Sequence, residues 1–105
     1  YNEHDTAKLV KKFASLAKKS EINGIICSGN DLSEIKRFKS LIKITPGVKM
    51  FNRKDDQKRV TFVHDALNLG ADFVVIGREL INSTDPKSML QKYYEKYQNQ
   101  NLWTD

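Results

Sequence analysis

The sequence has little of what marks a secreted or membrane-embedded protein. Among its 105 residues Cys27 is the one cysteine, so no disulfide forms within the chain and a reducing compartment is expected. The longest uninterrupted apolar runs are four residues, such as 73–76, and none can cross a bilayer. The two histidines, His4 and His64, do not make a metal site. We therefore expect a cytoplasmic protein with no metal and no membrane partner.

Its charge is basic and unevenly spread. The chain has 18 Lys and Arg against 13 Asp and Glu, a net charge of +5, and the excess lies in residues 1–60. Such a skew can mark a nucleic-acid-binding face. However, no nucleic-acid motif is present, and much of the excess falls on one side of a predicted helix: Lys8, Lys11, Lys12, Lys18 and Lys19. We expect a solvated helix face and no nucleic-acid partner, with a non-catalytic basic binding module as the alternative.

The pattern of apolar residues alternates between helix and strand. The chain has 39% apolar and 30% charged residues, which is typical of globular proteins. We therefore expect residues 1–105 to belong to one globular domain. Helical spacing predicts four helices, with Asp31 capping the second and Thr61 capping the third. Short apolar runs bounded by turn residues predict three buried strands. The predicted strands are 25–27, 41–44 and 73–76, and the predicted helices are 6–19, 31–38, 61–69 and 85–97.

This order, α-β-α-β-α-β-α, predicts a parallel sheet covered by helices. A free-standing sheet of three short parallel strands leaves two unpaired edges and buries little surface. The sequence therefore predicts a C-terminal piece of a larger α/β sheet or barrel.

Residues suited to binding an anion follow the predicted strands. Parallel α/β folds form their ligand sites where strands end. Arg78 directly follows Gly77 after the last strand, and this pair suits a phosphate because glycine admits close backbone approach and guanidinium gives a forked contact. Gln57 can add an amide donor from the preceding loop. The alternative is that Arg78 pairs with a nearby carboxylate, such as Glu79 or Asp72.

Four segments together carry a family resemblance. They are Asn23-Gly24-Ile25-Ile26-Cys27-Ser28, Thr45-Pro46-Gly47-Val48, Asp56-Gln57-Lys58-Arg59-Val60 and Val75-Ile76-Gly77-Arg78. In this order and spacing, the chain from about residue 7 to 97 resembles the C-terminal part of orotidine 5'-monophosphate decarboxylase.

The resemblance implies an α/β fold, the C-terminal portion of a (β/α)8 TIM barrel comprising strands 6–8 and their flanking helices. It also implies a lyase of pyrimidine biosynthesis that converts orotidine 5'-monophosphate to uridine 5'-monophosphate and carbon dioxide. Such an enzyme is a homodimer without metal or organic cofactor, and its partner is this small-molecule substrate.

The resemblance also implies roles for individual residues. Pro46 lines the pyrimidine pocket, Gln57 lies on a loop that closes over the ligand, and Gly77 with Arg78 holds the phosphate. Lys49 lies where bacterial members usually have an arginine that contacts phosphate. Lysine keeps the positive charge but lacks the two parallel N–H donors of a guanidinium.

The family's catalytic motif, Asp-x-Lys-x-x-Asp, is not completed anywhere in the chain. The two near matches begin at Asp56 and Asp85 and end on Thr61 and Leu90. We therefore expect no catalytic residue in this segment and no activity from it alone. The alternative within the same barrel superfamily is a sugar-phosphate lyase or decarboxylase.

Overall fold

The computed structural model describes residues 3–51 and 61–98, with side chains from residue 5 onwards. No helix in this part of the chain is long and apolar enough to cross a membrane. The predicted alternation of helices with short strands is confirmed. In chain order the elements are α1 (Glu3–Lys19), β1 (Gly24–Ile26), a 3₁₀ helix (Gly29–Ile35), β2 (Ile42–Pro46), β3 (Val48–Lys49), β4 (Thr61–Phe62), α2 (Val63–Asn68), β5 (Phe73–Val75), α3 (Arg78–Ile81) and α4 (Pro86–Gln98).

The three predicted strands form one parallel sheet with β2 in its centre, in the order β1-β2-β5. Ile26 lies opposite Ile44, which lies opposite Phe73 on the other side. Because all three strands run the same way, their carboxyl ends meet at one end of the sheet and their amino ends at the other.

One face of this sheet is covered by helices and the other is open. Side chains alternate between the faces along each strand. On the covered face Lys43 and Thr45 are buried, whereas on the opposite face Ile26 is 73% exposed and Phe73 60% exposed. We call this opposite side the open face; its exposed apolar side chains are Ile26, Ile42, Phe73 and Val75.

Two apolar clusters hold the helices on the covered face. Small side chains at Ala14 and Ala17 let α1 pack closely against a first cluster, which contains Ile35, Phe38 and Leu41. Each large aliphatic side chain buried in this way contributes about 1.5–3 kcal/mol. The second cluster joins α2 and α4 to the chain after β2 and contains Leu32, Val48, Met50, Val63, Ala66, Ala71 and Tyr93.

The second predicted helix is a 3₁₀ helix, and Asp31 does not cap it. The N-cap residue is Ser28, whose hydroxyl donates to the Asp31 carboxylate at 2.8 Å. The helix begins on Gly29, which packs against Thr61 so closely that a β-carbon there would collide with the threonine side chain. The first residue of this helix is therefore in contact with a residue 32 positions away.

The Thr61 cap is also wrong. Thr61 and Phe62 form β4, a short strand parallel to β3, and α2 begins at Val63 with Phe62 at its N-cap. The reason is that the Thr61 backbone pairs with Val48, which holds it in an extended conformation. β2 likewise continues past its predicted stop at Thr45 and ends at Pro46.

Some apolar side chains of the two long helices are exposed. Phe13 and Leu16 on α1 lie outside the clusters, as do Tyr94 and Tyr97 on α4. Of the described side chains on α4, Tyr93 is buried in the second cluster, and Met89 packs against that cluster while partly buried.

Candidate functional site: the carboxyl ends of β2 and β5

The site begins where β2 and β5 end side by side. Pro46 pairs in register with Val75, so the segments that follow these two strands are neighbours. After β2 the chain turns at Gly47, whose φ of +71° lies in the left-handed region that favours glycine, and enters β3. After β5 it passes through Gly77 into α3, which begins at Arg78.

A cavity of about 450 Å³ lies between these two segments. A β-carbon placed at Gly47 or Gly77 would meet no atom of residues 3–51 and 61–98 within 4 Å, so among these residues both glycines leave open space for another molecule. The cavity is lined by Gly47, Val48, Lys49, Gly77, Arg78, Glu79 and Asn82.

The structure brings three of the predicted site residues together: Lys49, Gly77 and Arg78 all line the cavity. Pro46 is exposed beside it, one residue before the turn, and is not among the lining residues. Gln57 lies in residues 52–60, outside the described part of the chain.

Neither of the two carboxylates named as alternatives, Glu79 and Asp72, pairs with Arg78. Glu79 instead accepts hydrogen bonds from the backbone of Met50 and from the Tyr93 hydroxyl. Asp72 accepts from the backbone N–H of Lys43 at the other end of the sheet. Within residues 3–51 and 61–98, no carboxylate is in ion-pairing distance of the Arg78 guanidinium.

The cavity is therefore suited to an anion. It has two cationic side chains, Lys49 and Arg78, and its one lining carboxylate has its charge stabilised by other donors. A guanidinium offers two parallel N–H donors to a phosphate or carboxylate, and charge-assisted contacts of this kind are about twice as strong as neutral ones. The arrangement can hold a phosphoryl group.

Glu79 and Asn82 are among the lining residues that were not predicted as site residues. Asn82 follows Arg78 by four positions, which is one helical turn, but α3 is only four residues long and has no amphipathic period to reveal it. Glu79 makes hydrogen bonds to partners 14, 28 and 29 positions away, and no spacing rule reports contacts at that distance.

Cys27, which follows β1, has the properties of a packed thiol. It contacts both apolar clusters, and burial raises the pKa of its thiol. A thiol with a raised pKa is a poor nucleophile at neutral pH. Across the described ranges, no three His, Cys, Asp or Glu side chains group in a way that would hold a metal ion.

Comparison with known proteins agrees with the strand-end motifs. Residues 2–93 match the sequence model of the Orotidine 5'-phosphate decarboxylase / HUMPS family. The chain belongs to this family, and the resemblance noted from its motifs is confirmed.

Individual relatives give the same result. The chain is 38% identical over 93 residues to an orotidine 5'-phosphate decarboxylase of Lawsonia intracellularis, covering 87% of this chain and 40% of that protein. It is 42% identical over 77 residues to one of Wolbachia pipientis, covering 71% of this chain and 34% of that protein.

A solved structure is also similar. The crystal structure of an uncharacterized conserved protein from Geobacillus kaustophilus matches with a TM-score of 0.60 and 30% sequence identity. The match covers 93% of this chain and 37% of that one. The chain thus spans about two fifths of the length of the proteins that it matches.

Proposed function

We propose that this chain is the phosphate-binding part of an orotidine 5'-phosphate decarboxylase. The observation that carries the proposal is the cavity at the carboxyl ends of β2 and β5, where Lys49, Gly77 and Arg78 meet. Gly77 and Arg78 bind the substrate phosphate, and Lys49 adds a second positive charge. The family is named for an enzyme of orotidine 5'-phosphate, and this substrate is a phosphate ester of the kind that such a cavity would hold.

The three-stranded sheet is, in this proposal, strands 6–8 of a (β/α)8 barrel. Its open face supports this assignment, because the exposed Ile26, Phe73 and Val75 are side chains that a barrel interior would bury. The greater length of the relatives provides enough chain for the other five strands. We use the term completed enzyme for this chain together with the N-terminal residues that its relatives carry, as one polypeptide or as two.

The completed enzyme breaks the bond between the pyrimidine ring and its carboxylate, releases carbon dioxide and protonates the resulting carbanion. The Lys and Asp side chains for these steps come from the N-terminal residues, since the motif is not completed in this chain. This chain contributes binding energy far from the reacting atoms. Such remote energy can drive closure of the site and lower the barrier to the chemical step.

The remaining site and assembly assignments follow from the family resemblance. Pro46 lines the pyrimidine pocket, and Gln57 closes over the ligand from the loop between β3 and β4. The completed enzyme works as a homodimer in the cytoplasm, uses no cofactor or metal, and binds neither nucleic acid nor membranes.

The test is an assay of orotidine 5'-phosphate decarboxylation with this chain alone, with the N-terminal residues alone and with the completed enzyme. We expect product from the completed enzyme only. Failure of the completed enzyme to decarboxylate this substrate, although it is folded, would overturn the proposal.

The second candidate is a sugar-phosphate enzyme of the same superfamily. The family model covers decarboxylases and HUMPS proteins together, so its match does not separate the two. The cavity described above would serve either substrate class, because it contacts the phosphate. Conversion of a hexulose phosphate instead of orotidine 5'-phosphate in the same assay would favour this candidate.

A further inference from the structure

Glu79 is a buried carboxylate with three hydrogen-bond donors among the described residues. Its side chain is 6% exposed, although it directly follows the exposed Arg78. Its Oε1 accepts from the Met50 backbone N–H and from the Tyr93 hydroxyl, each at 2.8 Å, and its Oε2 accepts from the Phe51 backbone N–H at 3.3 Å. Three donors on two oxygens stabilise the charge of a carboxylate out of water.

These hydrogen bonds tie together three segments that are distant in sequence. Met50 and Phe51 directly follow β3, Glu79 lies on α3, and Tyr93 lies on α4. The Phe51 ring also stacks on the Tyr93 ring, with 5.6 Å between centroids, and the Lys96 ammonium lies 5.1 Å from the Phe51 centroid. The start of the β3–β4 loop is therefore fixed both by its backbone and by its first aromatic side chain.

The hydrogen bond between Met50 and Glu79 lies next to the cavity. Lys49 is one residue before Met50, and Arg78 is one residue before Glu79, so each cationic lining residue adjoins one end of the same hydrogen bond. Apolar packing between these segments would hold them together but would allow them to slide. Hydrogen bonds from two successive backbone N–H groups to one carboxylate fix both distance and orientation.

We propose that Glu79 is a positioning residue that sets Lys49 and Arg78 across the cavity at the separation that a phosphate requires. Tyr93 assists it by holding the carboxylate from the side of α4. This inference rests on the proposed phosphate-binding function and extends it to a residue that does not contact the ligand.

The test compares Glu79→Gln and Tyr93→Phe with the original completed enzyme. A glutamine has one acceptor oxygen and an NH₂ group, so at least one of the three donors loses its partner. Phenylalanine keeps the ring stack and removes only the hydroxyl donor. The matched control is Glu95→Gln, which makes the same chemical change at an exposed position on α4.

The measurement is the dissociation constant of uridine 5'-monophosphate and of uridine, which differ only in the phosphate. We expect Glu79→Gln to weaken uridine 5'-monophosphate binding by about tenfold or more and to leave uridine binding unchanged. Tyr93→Phe should give a smaller loss in the same direction, and Glu95→Gln should give none. A purely structural role would lower the Tm and weaken both ligands equally, and that result would overturn the inference.

The original enzyme separates this inference from the function on which it rests. If it binds uridine 5'-monophosphate no better than uridine, the phosphate-binding function fails. If it prefers the phosphate ester and Glu79→Gln keeps the full preference, the function stands and the positioning role of Glu79 is wrong.

Discussion

The two ends of the parallel sheet use their charged residues differently. At the amino end, Lys43 is buried and donates from Nζ to the backbone carbonyls of Phe38 and Leu41, at 2.8 and 3.3 Å. Asp72 accepts from the Lys43 backbone N–H at 2.9 Å. At the carboxyl end, the Arg78 guanidinium lines an open cavity beside two glycines and has no carboxylate partner among the described residues.

This difference separates stability from function. The amino-end charges are directed at the protein's own backbone, so they hold the sheet together. At the carboxyl end the cations Lys49 and Arg78 line a cavity, which is the arrangement that parallel α/β proteins use for ligands, whereas the lining carboxylate Glu79 bonds to the protein backbone. Substitutions at the amino end should therefore change the free energy of unfolding, and those at the carboxyl end should change ligand binding.

The largest expected effect is on activity and comes from Arg78→Ala. Removing a charge-assisted contact in a closed site should lower kcat/KM of the completed enzyme. The expected loss of transition-state stabilisation is about 3 kcal/mol or more. The Tm should change little because the side chain is exposed. Steady-state kinetics and thermal melting check both parts. A loss below tenfold would contradict the assignment of Arg78 to phosphate.

Lys43→Met is the corresponding change of a cation at the amino end. Methionine keeps much of the aliphatic stem and removes the Nζ donor from the carbonyls of Phe38 and Leu41. The Phe38 carbonyl still accepts from the Leu41 backbone N–H. We expect a loss of about 1–3 kcal/mol in the free energy of unfolding, measured by urea denaturation, with KM unchanged. A raised KM with no loss of stability would break the distinction between the two ends.

Asp72→Ala should have a smaller effect at the same end. It removes one partly buried hydrogen bond, from the Lys43 backbone to the carboxylate, whereas the backbone bond from Asp72 to the Lys43 carbonyl remains. We expect a loss of about 1 kcal/mol in the free energy of unfolding. An unchanged denaturation midpoint would show that this end depends less on its charged groups than the contacts indicate.

The smallest effect is expected away from both ends, at the ion pair between Lys11 and Glu34. The two atoms are 3.3 Å apart, and both side chains are substantially exposed. Such pairs contribute about 0–1 kcal/mol, so Glu34→Gln should leave both the denaturation midpoint and the kinetics nearly unchanged. This variant also measures the background against which the other three are compared.

The sequence predicted the elements whose signals are local. β1, β2 and β5 are short apolar runs next to turn residues, and their alternation with helices predicted the parallel sheet. The two-residue strands β3 and β4 were not predicted. The Gly77-Arg78 pair was predicted to bind an anion because of its position after a strand, and the structure places it in a cavity with Lys49.

The features that were missed depend on contacts between distant residues. Gly29 packs on Thr61, whose backbone pairs with Val48, and α2 begins after this strand at Val63. Glu79 contacts Met50 and Tyr93, which lie on separate segments. None of these contacts leaves a periodic pattern in the sequence. They therefore cannot be inferred from hydrophobic spacing or from capping rules.

The central claim is that the carboxyl-end cavity binds the substrate phosphate. The most direct test is to follow the backbone amide signals of the isotopically labelled completed enzyme by NMR during titration with uridine 5'-monophosphate and, separately, with uridine. The account predicts that only the phosphate ester shifts the signals of Gly47, Lys49, Gly77 and Arg78, and that Lys43 and Asp72 do not respond. Equal shifts with both ligands, or phosphate-dependent shifts at the amino end alone, would contradict it.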